Sequence, residues 1–421
     1  MFLNCLDLFA GAGGLSEGFR RCGFNIVAHV EKDRAASLTL KTREAYYYLK
    51  KEDRLNDYIN YISNKITRDE LYEMVPEKIL NKVIHEEISD ETYKNIFNDI
   101  DQKLKNKKNN KIEIIIGGPP CQAYSIAGRS RDPERMENDP RNYLYLQYLR
   151  FIKYYKPNYF VFENVMGIKT AKDGTIFEQI KKDMIDLGYK IDHKVLNAKD
   201  FGVLQSRKRV IIIGWQEHID FKYPKFPDCN SEYTIKDLFE DIPIMQAGDK
   251  VSFSEQSGLV NDCLKDLHIK DDDFNYLLQQ EIRPNREIDL EIYRMCVNYW
   301  NDSQKKLKYN ELPEKLITQK NTKSFLDRFN VVPGNGISHT VVAHISKDGH
   351  YYIHPDIKQN RSISLREAAR IQSFPDDYYF EDSRTAAFVQ IGNAVPPLMG
   401  EKIAMVIKKA IKLNSNKSNK Y

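Results

Sequence analysis

The sequence predicts an α/β protein with a doubly wound, mostly parallel sheet and a second, smaller irregular domain. Three observations predict this fold class. Short apolar runs alternate with amphipathic helical stretches over the first 215 residues, turns rich in glycine or proline follow those runs directly, and the alternation stops after residue 215. Alternating strands and helices are typical of parallel sheets, whose ligands lie beyond the carboxyl ends of the strands.

The apolar runs give the individual strands. Residues 3–30 read as a βαβ unit, in which a glycine-rich turn and a helix separate two apolar segments. Three later runs, each bounded by turn residues or charges, predict further strands at 112–116, 159–162 and 210–213. Helical stretches lie between them, at 143–154 and 176–187.

A helical insertion is predicted over residues 43–105. Leu55, Ile59 and Ile62 recur at helical spacing, and a second series of the same kind follows. Thr67 and Glu70 have the spacing of a capping box at the start of that second series.

The length of 421 residues favours two domains around one cleft. We expect residues 1–215 to form the catalytic domain, with residues 385–421 completing it, and residues 216–384 to form the second domain. Helices are predicted at 365–372 and 397–411.

Composition excludes several classes. A hydrophobic content of 41% and a charged content of 29% are ordinary for a globular protein, and no apolar run approaches the roughly 18 residues of a membrane span. The six cysteines show no CxxC spacing, so neither a metal site nor a disulfide framework is expected. Without a signal peptide, we expect a cytoplasmic protein. The net charge of +4 permits a polyanionic partner without requiring one.

The first motif is DLFAGAGGLSEGF at residues 7–19. Gly11, Gly13 and Gly14 allow a tight turn and a close approach of the backbone to a ligand. An ordinary tight turn between strand and helix is the alternative. Glu31, at the end of the next strand, is placed to accept hydrogen bonds from a ribose, with a surface carboxylate as its alternative.

The second motif is GGPPCQAYS at residues 117–125, directly after a predicted strand. Its glycines and prolines fix the shape of the loop and present Cys121 at the ligand edge of the sheet. A thiol in that position is placed as a nucleophile, and the alternative is a buried structural cysteine.

Of two more motifs, the first directly follows a predicted apolar strand and the second directly precedes one. FENV at residues 162–165 puts Glu163 at the same edge as Cys121, suited to acid chemistry rather than to a solvated charge. In QSRKRVIIIG, residues 205–214, Arg207 and Arg209 alternate and should point to one side, where guanidinium groups suit a phosphate or a carbonyl oxygen. Surface ion pairs are the alternative for these arginines.

With RSISLREAARIQSFP at 361–375 and QIGNAVPP at 390–397, these motifs in this order resemble the cytosine-5 DNA methyltransferase family of prokaryotic restriction-modification systems. The resemblance covers residues 3–33, 112–215 and 338–407. It implies a Rossmann-like fold that uses S-adenosylmethionine and releases S-adenosylhomocysteine.

The resemblance also implies which residues hold this cofactor. Lys32 stands where an apolar or aromatic residue is frequent, and the run before Asp99 lacks the usual glycine. The implied cofactor residues are Phe9, Ala10, Gly11, Gly13, Gly14, Leu15, Glu31, Lys32, Asp99, Ile100, Pro120, Asn393 and Val395, with Asp99 and Ile100 facing the adenine.

The implied chemistry is covalent and needs no metal. Adding the Cys121 thiolate to carbon 6 of cytosine turns the ring into an enamine whose carbon 5 can attack a methyl sulfonium. Glu163 would donate to ring nitrogen 3 and accept from the exocyclic amine, while Arg209 would bind the carbonyl oxygen, with Arg207 supporting it or a phosphate. These atoms are out of reach in a stacked duplex, so the base must be flipped out.

The implied partner is double-stranded DNA, read by a target-recognition segment from Trp215 to about Ile337. The loop at 125–141 carries Arg129, Arg131 and Arg135 and is expected to close over DNA. We expect a monomer, with a restriction endonuclease as its cognate partner. Two alternatives remain: the same chemistry on transfer RNA, and a catalytically silent DNA-binding regulator. A nicotinamide-dependent dehydrogenase would explain only the glycine turn.

Overall fold

The computed structural model describes residues 3–105, 110–120, 144–226, 229, 231–256, 260–270 and 273–418. Cys121 and the loop at 125–141 therefore lie outside the described residues. The strands are β1 (Asn4–Leu8), β2 (Asn25–Glu31), β3 (Val83–His85), β4 (Ile114–Gly117), β5 (Tyr159–Asn164), β6 (Tyr189–Asn197), β7 (Lys208–Gln216), β8 (Lys250–Glu255) and β9 (Tyr276–Glu281).

The helices connect these strands and cover the sheet. In the first part of the chain they are α1 (Gly14–Arg21), α2 (Arg34–Lys51), α3 (Leu55–Ile62), α4 (Arg68–Glu73), α5 (Glu77–Leu80), α6 (Tyr93–Lys105), α7 (Leu144–Tyr155) and α8 (Thr175–Asp186). After β7 come α9 (Ile235–Leu238), α10 (Asp262–Asp266), α11 (Glu287–Ser303), α12 (Leu365–Ile371), α13 (Arg384–Asn393) and α14 (Pro397–Ser418).

Seven strands form one sheet in the order β3-β2-β1-β4-β5-β7-β6. The pairs β2–β3, β1–β2, β1–β4 and β4–β5 are parallel. β7 runs antiparallel to both β5 and β6. The predicted doubly wound, mostly parallel sheet is confirmed, whereas β3, β6 and the antiparallel direction of β7 were not predicted.

The register of the central strands aligns their carboxyl ends. Leu8 of β1 pairs with Gly117 of β4, and Gly117 pairs with Phe162 of β5. The strand order reverses between β1 and β4, which is where ligands bind in sheets of this kind. The segments after Leu8, Gly117 and Phe162 therefore share one edge of the sheet.

The insertion at 43–105 is less separate than predicted. Its capping box is present, because the Thr67 hydroxyl accepts from the Glu70 N–H and the Glu70 side chain accepts from the Thr67 N–H. However, β3 lies inside this range and forms the edge of the main sheet, paired with β2. The range thus contributes a strand as well as helices.

The hydrophobic core does not divide at the predicted domain boundaries. Leu365, Ala369 and Phe374, which fall in the range assigned to the second domain, pack in one cluster with Cys5, Ile114 and Ile213 of the sheet. A separate apolar cluster forms around α11 and includes Tyr293 and Phe329. The β8–β9 hairpin instead packs on the helices of the insertion.

Candidate active site at the carboxyl edge of the sheet

The glycine turn joins β1 to α1 in an unusual backbone conformation. Phe9, Gly11 and Gly13 all have positive φ, at 53°, 54° and 75°. A Cβ on Gly14 would lie 2.1 Å from the carbonyl oxygen of Val395, a contact that no side chain tolerates. The turn therefore packs its backbone against the segment after α13, and Gly14 and Val395 meet although they are far apart in sequence.

Glu31 closes one side of this turn. Its two carboxylate oxygens accept from the backbone N–H groups of Gly11, at 2.7 Å, and Asp33, at 2.8 Å. Burial raises the pKa of Glu31, and these two hydrogen bonds oppose the rise. Glu31 thus lies directly against the glycine turn.

Of three residues predicted near the adenine, Lys32 lies beside the segment after β3, whereas Asp99 and Ile100 lie on α6. The Lys32 ammonium is exposed and pairs with Glu87 at 2.9 Å. Asp99 is exposed on α6, and the side chain of Ile100 is fully buried in the core below the sheet. Ile100 therefore cannot face a ligand, and the assignment of Asp99 and Ile100 to the adenine is wrong because both belong to a helix that packs on the sheet.

The segment after β3 lies beside Glu31. β3 lies beside β2 in parallel register, with His85 opposite Glu31. The Glu86 N–H donates to the Glu31 carbonyl at 3.1 Å, and Ile88 is buried two residues later. The sequence signal was a short apolar pair, Val83 and Ile84, followed by acidic residues.

Glu163 and the loop after β4 are in direct contact. A Cβ on Gly118 would lie 2.5 Å from Oε2 of Glu163, so only glycine leaves room for the carboxylate. The Asn164 amide donates to the Pro119 carbonyl at 3.4 Å. Pro120 is half-buried and ends the described part of this loop. Glu163 thus lies directly against the segment that leads into Cys121.

Arg209 holds the Glu163 carboxylate. The Arg209 Nε and the Glu163 Oε1 are 2.9 Å apart, and the two side chains are only 12% and 13% exposed. Burial lowers the pKa of the Arg209 guanidinium, and the charge of Glu163 opposes that shift. A carboxylate and a guanidinium with little solvent around them therefore lie at the edge of the sheet where the loop after β4 begins.

Arg207 has a different environment from the one predicted. It is fully buried, and its Nη1 and Nη2 donate to the carbonyls of Val341, at 2.6 Å, and Gly392, at 3.1 Å. Burial first, then the charge of Arg209, holds the pKa of Arg207 well below its ordinary value. The expectation that Arg207 contacts a base or a phosphate is corrected, since its guanidinium is bonded within the protein.

Two glutamines form a buried relay that the sequence reasoning missed. Gln205 accepts from the Val341 N–H at 2.9 Å and donates to the side-chain oxygen of Gln372 at 2.7 Å. Gln372 donates to the carbonyls of Ile391, at 2.6 Å, and Ala394, at 3.1 Å. The relay ties the start of β7 to the segment that packs on the glycine turn, and its sequence signal was the glutamine of QSRKR.

The segment after α13 carries the remaining predicted cofactor residues. Asn393 is exposed at the end of α13, and Val395 is 8% exposed against the glycine turn. Within the described ranges, no cluster of His, Cys, Asp and Glu could hold a metal ion. Among the same residues, no helix is both long and apolar enough to cross a membrane.

The sheet order, with β7 inserted antiparallel beside β5, and the turn after β1 define a Rossmann-like methyltransferase fold. A model of the C-5 cytosine-specific DNA methylase family matches residues 3–67 and 79–409. The chain belongs to this family and is a cytosine-5 DNA methyltransferase, which acts on DNA with a methyl donor.

Curated relatives agree with this assignment. The chain is 42% identical over 440 residues to the type II methyltransferase M.Bpa9945I of Bacillus paralicheniformis, covering 96% of this chain and 98% of the relative. It is 30% identical to the type II methyltransferase M.DdeI of Desulfomicrobium norvegicum, covering 96% and 88%.

A solved structure shares the fold. It is a candidate DNA modification methyltransferase from an E. coli prophage, which aligns with a TM-score of 0.64 and 24% identity over 97% of this chain and 99% of the other.

Proposed function

We propose that this site transfers a methyl group from S-adenosylmethionine to carbon 5 of a cytosine flipped out of duplex DNA, through a covalent adduct with Cys121. One observation carries the proposal. The Glu163 carboxylate is paired with Arg209 and lies against Gly118, three residues before Cys121. This arrangement places a carboxyl group and a guanidinium next to the loop that leads to the proposed nucleophile.

The residues around the glycine turn fit S-adenosylmethionine. A Cβ on Gly11 would meet no atom within 4 Å, so space lies open beside the turn. Glu31 accepts a hydrogen bond from Gly11 there, and the Val395 carbonyl packs on Gly14 of the same turn. We assign Phe9–Leu15, Glu31, Pro120, Asn393 and Val395 to this cofactor, and residues 86–88 to its adenine end. When bound, the cofactor supplies an electrophilic methyl group.

Three side chains of the protein have separate roles in this reaction. The Cys121 thiolate forms a bond to carbon 6 of cytosine, and carbon 5 then takes up the methyl group. When a water molecule accepts the proton on carbon 5, the electron pair of that C–H bond restores the ring double bond and the bond from carbon 6 to sulfur breaks, which returns the thiolate. When it carries a proton, the Glu163 carboxyl group donates to ring nitrogen 3, and its other oxygen accepts from the exocyclic amine, a pattern that selects cytosine. Arg209 holds Glu163 in place and binds the carbonyl oxygen at position 2.

Arg207 is a positioning residue in this account. Its bonds to the Val341 and Gly392 carbonyls run beside the relay of Gln205 and Gln372. Both connect the strand of Arg209 to the wall of the cofactor site. We propose that they set the distance between the base and the methyl donor.

Purified protein tests the proposed activity directly. Incubated with S-adenosylmethionine and unmethylated duplex DNA, it should produce 5-methylcytosine, measured by mass spectrometry of the digested nucleosides. Transfer RNA in the same assay should remain unmodified. Methylation of transfer RNA alone would instead support the rival substrate, and bisulfite sequencing of the DNA product would give the recognition sequence.

The cellular setting is part of the proposal. The type II names of the relatives support a role in a restriction-modification system, with a cognate endonuclease that cuts the same sequence. We propose that the enzyme acts on DNA as a monomer in the cytoplasm. Residues 216–337 are the proposed target-recognition segment. Light scattering of the protein with and without a duplex would detect any dimer.

A further inference from the structure

The loop at residues 320–328 displays an exposed aromatic ring. Phe325 is 72% exposed, the highest value for a large hydrophobic side chain in the part of the chain that the structure describes. Single exposed apolar residues are common on protein surfaces, so exposure by itself assigns no role. The backbone that carries this ring supplies the next observation.

The side chain of Arg328 binds the backbone of this loop, and we call it the clamp. Its Nε donates to the carbonyl of Phe325 at 3.0 Å, and its Nη2 donates to the carbonyls of Asn321, at 2.9 Å, and Ser324, at 3.1 Å. The guanidinium carbon also lies 3.9 Å from the centre of the Tyr309 ring. The Arg328 guanidinium thus bonds three carbonyls of the loop around Phe325 and packs on one aromatic ring.

The clamp holds Phe325 in a strained conformation. Its φ is +54°, in the left-handed region that residues with a bulky side chain seldom adopt. Such strain persists only where the surrounding structure imposes it, and it is frequent at binding sites. Here this conformation exposes a large apolar ring to solvent. The ring therefore adds no stability to the free protein through burial.

The surroundings of the ring are positively charged. Residues 304–328 contain seven lysine or arginine residues and three acidic residues, so this short segment carries as much net positive charge as the whole chain. Lys320 and Lys323 precede Phe325 in the same loop and are exposed. An exposed aromatic ring that follows two lysines matches a polyanion that also offers flat apolar surfaces, which is the chemistry of nucleic acid bases and phosphates.

A chain of contacts links the loop to the catalytic strand. The Tyr351 hydroxyl donates to Asp327 at 3.2 Å, and the Tyr351 and Tyr352 rings are 5.7 Å apart. Tyr352 in turn accepts from the Val342 N–H at 3.0 Å. The neighbouring Val341 carbonyl accepts from Arg207, two residues before Arg209. The loop and the base site are thus held in one framework.

We propose that Phe325 inserts into or stacks on the base pairs next to the flipped cytosine, while Lys320 and Lys323 bind the flanking phosphates. The proposal rests on duplex DNA being the substrate. It assigns a DNA-contacting role to named residues of the target-recognition segment. An apolar wedge that unstacks a neighbouring step also lowers the cost of extracting a base.

Phe325→Ala tests the ring, and Met405→Ala on α14 is the matched control, because Met405 is an exposed apolar side chain at 50% on another face. The duplex used is one that wild-type protein methylates, with 2-aminopurine beside the target. Phe325→Ala should raise the KM for DNA about tenfold or more, a loss typical of a base–aromatic contact. On binding DNA, this variant should also produce a smaller rise in 2-aminopurine fluorescence than wild type produces. Met405→Ala should match wild type in both.

A second pair of variants tests the lysines. Lys320→Gln with Lys323→Gln should reduce the slope of log affinity against log salt by about 1.8, because each phosphate contact contributes about 0.9. Thermal unfolding of each variant checks that the loop change leaves the fold intact.

Unchanged KM and fluorescence in Phe325→Ala, with DNA still methylated, would overturn this role and leave the methyltransferase assignment standing. A change in oligomeric state without a change in DNA binding would assign the ring to contact between protein copies and would also overturn it. Absence of any DNA methylation by wild-type protein would instead remove the proposed function itself.

Discussion

Replacing Cys121 with alanine should abolish methyl transfer to DNA, by at least about 10⁴-fold, while the folded protein still binds S-adenosylmethionine. The reason is chemical. Without the thiolate, no bond forms at carbon 6, and carbon 5 stays too weak a nucleophile to attack the methyl group. The measurement is transfer of labelled methyl to duplex DNA, together with calorimetric binding of the cofactor.

Another cysteine provides the control for this change. Cys229 is a free, half-buried cysteine in the segment after β7, and Cys229→Ala should retain wild-type activity. Undiminished transfer by the Cys121 variant would defeat the covalent mechanism. Loss of cofactor binding in that variant would show that Cys121 has a structural role instead.

The second large effect is expected from Glu163→Gln. Glutamine keeps the size of the side chain and one acceptor oxygen, but its amide cannot transfer a proton to ring nitrogen 3 and lacks the charge that pairs with Arg209. We expect kcat to fall by roughly 10²- to 10⁴-fold with little change in the affinity for DNA. Single-turnover rates and equilibrium binding to the same duplex separate the two effects.

Glu178→Gln is the matched control, because Glu178 forms an exposed ion pair with Lys181 on α8, and it should leave both quantities unchanged. Equal losses of rate and affinity in Glu163→Gln would assign Glu163 to DNA binding alone. A normal rate would remove Glu163 from the chemistry altogether.

The sequence could predict where the site lies because the sheet follows a general rule. In a parallel sheet the carboxyl ends of adjacent strands share one edge, so motifs that directly follow apolar runs must meet there. The contact between Glu163 and Gly118 and the turn beside Glu31 agree with that rule. The prediction therefore did not depend on how many residues separate the motifs in the sequence.

The missed strands lacked a readable pattern. β3 is three residues long, and β6 is an edge strand in which exposed and half-buried side chains such as Lys190 and His193 alternate with few apolar residues. The direction of β7 depends on pairing with β5 and β6 rather than on its own apolar residues.

The error at Asp99 and Ile100 had a different cause. Ile96, Ile100 and Leu104 recur every four residues, which is helical spacing, and all three are buried on α6. The match of Asp99 and Ile100 to a family motif covers only two residues. The periodicity was the stronger evidence, since it follows from how a helix packs.

The environment of Arg207 could not be read from the sequence. Its two acceptors, on Val341 and Gly392, are 134 and 185 residues away. Alternation along a strand predicts a common side for Arg207 and Arg209, but only the packing of distant segments decides which of them is covered. Arg209 keeps contact with Glu163, and Arg207 is enclosed.

The covalent step is tested most directly with duplex DNA that contains 5-fluorocytosine at the target position. Fluorine on carbon 5 cannot leave as a proton does, so the bond between carbon 6 and sulfur should persist after methyl transfer. We expect a protein–DNA complex that survives denaturation, with the modified nucleotide mapped to Cys121 by mass spectrometry. An active preparation that forms no such complex, or one in which the adduct maps to another cysteine, would contradict the account.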